Sequence, residues 1–156
     1  MFTNTKYFSP VINEGITRSN PLSAEYRQWW QEERKRCLEG YSSGGVRITG
    51  THYMYLNWWK IRGTNLKTGR KELIAPRFLD MDYDYFHELE LARIACRNFS
   101  VTKARQKGFS QKNACVVGRE FTLYSHSQSI IIAGLEQYNK ATFKMTLSGL
   151  DELKNT

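Results

Sequence analysis

NFSVTKARQKGFSQKNACVVGREFTLYSHSQSIIIAG, residues 98–134, is the stretch whose order of patterns decides the fold class. NFSVTKA (98–104) predicts a short strand and KARQKGFS (103–110) a loop. Residues 111–124 predict a helix, because Ala114, Val117, Phe121 and Tyr124 recur at helical spacing. SIIIAG (129–134) is a continuous apolar run of the kind found in a strand buried on both faces. Residues 136–154 return to helical spacing, with Phe143, Leu147 and Leu150 expected inward. Strand, loop, helix, strand, helix is how a parallel α/β sheet begins.

The loop carries the chemistry. A phosphate loop of the form G-x-x-x-x-G-K-[ST] works because backbone N–H groups and a helix N-terminus surround the phosphates. A Lys adds charge and a hydroxyl binds Mg²⁺. Here Gly108 and Ser110 stand where the second Gly and the hydroxyl belong, while Lys103 occupies the first Gly position and Phe109 the usual Lys position. The pattern is met in part, and its context strengthens it. An expected strand precedes it, an expected helix follows it, and Lys103, Arg105 and Lys107 are not offset by any acid. These features point to phosphate binding.

Working outward, residues 82–97 predict a helix with Tyr85, Leu89, Ala92 and Cys96 on one face. Its start, Asp80, Asp82 and Asp84, resembles a calcium loop only briefly, since Tyr85 replaces the required Gly and Leu91 the bidentate Glu. Carboxylates around a first helical turn are the better reading. Between residues 46 and 78, β-branched and aromatic residues alternate with turn residues at Gly50, Gly63 and Gly69. Short antiparallel strands follow from that, at 53–61 and 70–74. Ser23 is placed to cap a helix running to about Leu38, ended by EGYSSGG (39–45). Residues 1–22 predict an irregular arm. The Trp29-Trp30 and Trp58-Trp59 pairs read as core.

The 156 residues, 40% hydrophobic and 24% charged, fit one soluble globular domain. Lys and Arg number 23 against 15 Asp and Glu, a formal charge of +8. The excess lies in runs, at 60–71 and 103–119, which suits phosphate-bearing partners. No apolar run approaches the roughly 20 residues that cross a bilayer. MFTNTKYFSP (1–10) has no secretory core, so the protein is expected to stay in the cytoplasm. Cys37, Cys96 and Cys115 are odd in number and without C-x-x-C spacing, so they read as reduced and structural. His52, His87 and His126 show no zinc-ligand spacing.

KARQKGFS (103–110) resembles the deviant Walker A of the large terminase subunit of tailed bacteriophages, the ATP-driven motor that packages DNA into the procapsid. In that family the basic residue often stands at the start of the loop. ITGTHYMYLNWWKI (48–61) and APRFLD (75–80) are similar to the segment that precedes the family's ATPase core, and the resemblance covers about residues 40–153. It implies an α/β fold, an incomplete P-loop NTPase (RecA-like) core with parallel strands, preceded by a helix and short antiparallel strands. Residues 1–22 would be the arm, 23–80 the helix and antiparallel strands, and 81–156 the start of the core, ending before a Walker B.

The resemblance also implies roles. Lys103 would contact the β- and γ-phosphates, Gly108 would let the backbone approach them, and Ser110 would ligate Mg²⁺. Arg105 would act catalytically on the γ-phosphate, with Ala104, Gln106, Lys107 and Phe109 completing the ATP-binding loop. Phe78 and Tyr85 are candidates for an adenine pocket, although their own pattern favours core packing. Implied partners are double-stranded viral DNA, the small terminase subunit, the portal protein and further copies in a ring, in the host cytoplasm and transiently at the portal, with no membrane. Asp151-Glu152 is the only Asp-Glu pair and falls in an expected helix, so the hydrolytic half of the motor is expected to be missing and the chain to be marginally stable alone. Two alternatives stay open: a non-catalytic basic nucleic-acid-binding module, and another P-loop translocase such as a helicase.

Overall fold

Ser23 caps the first helix as its sequence suggests. Its Oγ accepts from the Tyr26 N–H at 3.1 Å, and α1 runs Ala24–Glu39. Gly40 ends α1 at φ +101°, and a Cβ there would strike the Ile48 carbonyl oxygen. The chain then turns into a hairpin of β1 (Tyr41–Ser43) and β2 (Val46–Ile48), with Tyr41 opposite Ile48. The computed structural model describes residues 20–43 and 45–154, so most of the expected 1–22 arm lies outside the described residues.

The next element corrects the sequence reading. Residues 53–61 were expected as a strand, but α2 (Gly50–Asn57) is a helix, capped by Thr49 Oγ1, which accepts from the His52 N–H at 3.1 Å. All eight of its residues are buried. A helix enclosed on every side has no polar face and therefore no helical period to read, and packing overrides the strand preference of Tyr and Thr. Gly50 lets α1 come close, because a Cβ there would meet the backbone of Cys37 and Leu38.

β3 (Ile61–Thr64) and β4 (Lys71–Ile74) form a second antiparallel hairpin, with Arg62 opposite Leu73, in keeping with the strand expected at 70–74. Three helices follow: α3 (Asp80–Ile94), α4 (Phe109–Leu123) and α5 (Glu136–Lys154). The fold is thus mixed helix and sheet, with five helices and two small antiparallel sheets among the described residues.

Parallel strands do not occur among the described residues, contrary to expectation. Among the described residues 98–104 and 129–134 pair with no strand, and Ile130 and Ile132 are 79% and 85% exposed. A strand exists through its neighbour's N–H and C=O groups, and α4 packs against α5 and α2 where a sheet was expected. The inward faces differ as well. α4 buries Lys112, Ala114, Cys115, Gly118 and Arg119 while Phe121 is exposed, and α5 buries Thr146 and Gly149 while Phe143 and Leu147 are largely exposed.

Three devices hold the helices together. Buried Glu33 on α1 accepts from Tyr53 Oη at 2.8 Å and Trp58 Nε1 at 3.2 Å and pairs with Arg36 at 2.5 Å, which ties α1 to α2. Arg119 donates to the Cys37 and Leu38 carbonyls at 2.9 and 3.1 Å, a cation at the negative end of α1. The Trp59 indole is fully buried and wedges between Gly118 on α4 and Gly149 on α5. Trp29, Trp30 and Trp58 pack against one another edge-on or tilted, so the tryptophan pairs are structural. Cys37 and Cys115 are buried free thiols, and burial pushes Cys37 up to about 12. No helix among the described residues is long and apolar enough to cross a membrane.

Candidate functional site

α4 begins at Phe109, and the loop before it is open to solvent from Lys103 to Gly108. The chain turns at Arg105 and Gln106, the latter at φ +62°, and enters the helix through Gly108 at φ +67°, ψ +15°. A Cβ at Gly108 would meet nothing within 4 Å, so the left-handed backbone alone calls for glycine. Gly108 offers no side chain to cap α4, and the first turn holds no acid. The start of α4 therefore has no side-chain cap at the positive end of the helix dipole, and the Gln111 N–H turns back to donate to the Gly108 carbonyl at 3.0 Å. Around them stand Lys103, Arg105 and Lys107, none in an ion pair among the described residues. Exposed Ser110 sits in the same turn.

Beneath the loop, Phe109 fills the position of the missing lysine as an anchor. Its ring meets that of Tyr85 edge-on at 4.7 Å, with Lys103 Nζ at 6.0 Å and Lys112 Nζ at 5.7 Å from its centroid. Lys112 is almost wholly buried, forms an ion pair with Asp82 on α3 and donates to the Lys107 carbonyl at 3.2 Å. Burial pushes the Asp82 carboxyl up, and Lys112 pulls it back. This pair braces the end of the loop from inside.

Sequence reasoning missed that brace. Asp82 does stand in the first turn of α3, as its position suggests, but its pairing with Lys112 is not visible in the basic run of the sequence. The clue was positional: Lys112, Cys115 and Arg119 fall at i, i+3 and i+7, which is one helical face, and that face is the buried one.

A cleft of about 540 Å³ opens beside the loop, with Lys103, Lys107, Phe109, Tyr85, Asp84 and Glu88 among its walls. It joins cations, aromatic surface and carboxylates in one space. Tyr85 donates from Oη to Asn113 Oδ1 at 2.9 Å, so its ring is fixed while it lines the cleft. Phe78 does not line it; its ring stacks on His52 at 5.2 Å, as core packing required. Asp151 and Glu152 lie in the last turns of α5, Asp151 paired with Lys154 at 3.1 Å, away from this cleft. Among the described residues no group of three or more His, Cys, Asp or Glu side chains is gathered that could hold a metal ion. No protein-family model, no curated protein and no solved structure matches the chain.

Proposed function

We propose that the chain is the nucleotide-binding N-terminal part of a phage terminase large subunit, an ATPase that drives double-stranded viral DNA into a procapsid. One observation carries the reading: the start of α4 has no side-chain cap and no acid in its first turn, is entered through left-handed Gly108, and follows Lys103, Arg105 and Lys107, none in an ion pair among the described residues. A polyphosphate fits such a place, since it meets an uncapped helix start, the helix dipole and cationic side chains together. Lys103 would hold the β- and γ-phosphates, and Arg105 would reach the γ-phosphate. Ser110 supplies a hydroxyl for Mg²⁺, whose other ligands would be phosphate oxygens and water. Bound ATP supplies the phosphoryl group whose hydrolysis drives the motor.

In this reading residues 81–156 correspond to the start of a P-loop (RecA-like) core, of which the loop at 103–110 and α4 are the parts present, while 98–104 and 129–134 form no strand among the described residues. Among the described residues no carboxylate follows a buried strand, so nucleotide binding without turnover is expected. The small terminase subunit, the portal and a ring of copies are the partners, and the host cytoplasm and the portal the places of action.

Titration with a fluorescent ATP analogue tests the site. Lys103→Ala is expected to weaken binding about tenfold or more, the scale of one charge-assisted contact. Ser110→Ala is expected to lose the enhancement that Mg²⁺ gives the parent. If both variants bind like the parent, the site is wrong. The exposed, unpaired cations also favour a second reading, a non-catalytic nucleic-acid-binding module. Duplex affinity that rises with an ATP analogue argues for a motor, whether terminase or another translocase; affinity indifferent to nucleotide argues for the module.

A further inference from the structure

A cavity of about 340 Å³ opens where α1 and α2 meet the last turns of α4 and α5. Its floor is core: Cys37, Met54 and Trp58 are buried, and the Trp30 and Trp58 rings lie tilted with centroids 5.3 Å apart. Leu123 and Leu153, at the ends of α4 and α5, complete an apolar wall. The polar groups of this lining are already satisfied within the protein. Glu33 accepts from Tyr53 Oη and Trp58 Nε1 and pairs with Arg36. Thr122 Oγ1 donates to the Gly118 carbonyl at 2.9 Å. Arg34, exposed on α1, donates to the Leu123 carbonyl at 3.4 Å and so joins two walls of the cavity on its solvent side. Trp30 Nε1 has no hydrogen-bond partner, but it is enclosed and offers nothing to the open space. Water in such a space makes few hydrogen bonds, and an apolar occupant releases it.

The lining also says what that occupant is. A charged group is poorly served there: Glu33 is neutralised by Arg36, and Arg34 stands at the carbonyl end of α4, whose dipole opposes an anion. A peptide brings backbone N–H and C=O groups with its side chains, and the lining has no group left to pair with them. The rings of Trp30 and Trp58 and the polarisable sulfurs of Cys37 and Met54 favour a flat π-surface over a branched aliphatic one. We infer that this cavity is a binding site for an uncharged, flat aromatic molecule of about two fused rings, a size in keeping with small-molecule pockets, held by apolar contact. The site is separate from the phosphate loop, none of whose residues lines it, so either can fail without the other.

Fluorine NMR of fluoronaphthalene, titrated with the full chain in the absence of nucleotide, tests it. Leu153→Trp and Thr122→Trp fill the cavity from α5 and from α4. Each is expected to weaken binding about tenfold or more, because losing the burial of about 60 Å² of apolar surface already has that effect. Ile130→Lys/Ile132→Lys removes exposed apolar surface elsewhere and is expected to bind within about twofold of the parent. Thr122 is exposed, and circular dichroism checks that each variant is folded. Parent-like binding by either folded tryptophan variant overturns the inference. An equal loss in the isoleucine variant also overturns it, in favour of adsorption to exposed apolar surface. Naphthoate and naphthylmethylammonium, read by displacement of the neutral probe, are expected to bind about fivefold or more weakly than that probe. Tighter binding by either overturns the inference in favour of a charged ligand. An unchanged nucleotide affinity in Lys103→Ala would end the loop reading and leave these outcomes untouched.

Discussion

His52 has no exposed surface and lies between the rings of Phe78 at 5.2 Å and Phe86 at 4.9 Å. Burial, helped by the charge of Lys112, lowers its imidazole from 6.5 to about 3. A folded value below the unfolded one means that the unfolded chain takes the proton first. Stability from this group is therefore fully present above the unfolded value and is lost as pH falls from about 6.5 toward 3. The urea midpoint of the parent is expected to fall between about pH 7 and pH 5, above the range where ordinary carboxylates titrate, and His52→Phe to flatten that slope. Equal slopes would show that another group titrates. At this scale the loop was legible because Lys103, Arg105, Lys107, Gly108 and Ser110 are neighbours in the chain. The Asp82–Lys112 pair was not, because two residues far apart in sequence reveal a partnership only once α3 and α4 are packed.

Among the elements, α4 and α5 owe their close approach to two glycines around one indole. A Cβ at Gly149 would strike the Trp59 ring, and one at Gly118 would come within 2.6 Å of it. Gly149→Ala is expected to cost about 1–3 kcal/mol by overpacking, measured by urea unfolding. In a Trp59→Leu background the same change is expected to cost clearly less, because the obstructing ring is gone. Equal costs in both backgrounds would clear the indole of responsibility. The existence of α1, α3, α4 and α5 was readable from caps and spacing, and the β4 hairpin strand from its turn residues. Their inward faces were less readable, because Lys112 and Arg119 are polar yet buried with partners and glycines mark a contact that hydrophobicity does not score. α2 was misread because complete burial erases the alternation on which such readings depend.

For the whole molecule, the expected sheet is replaced by helices packed on helices, and apolar surface is left outside. Ile130, Ile132, Phe121 and Phe143 are 79%, 85%, 70% and 57% exposed. The run at 129–134 was legible as apolar, but what it pairs with was never written in its own residues. Exposed apolar surface promotes association. Ile130→Lys/Ile132→Lys is expected to reduce self-association and dye binding to apolar surface, with unfolding free energy within about 0.5 kcal/mol of the parent per site. A large loss of stability would place these side chains inside.

The enclosed position of α2 also governs how the chain acquires its shape. A helix of eight residues, drawn largely from Gly, Thr, His, Tyr and Asn, has no standing in water by itself. It persists only when α1, α3 and α4 have closed around it, and they in turn have no common centre until it is there. The formation of α2 is therefore expected to be coupled to the closure of α1, α3 and α4 around it, while α4 and α5 pack directly on each other.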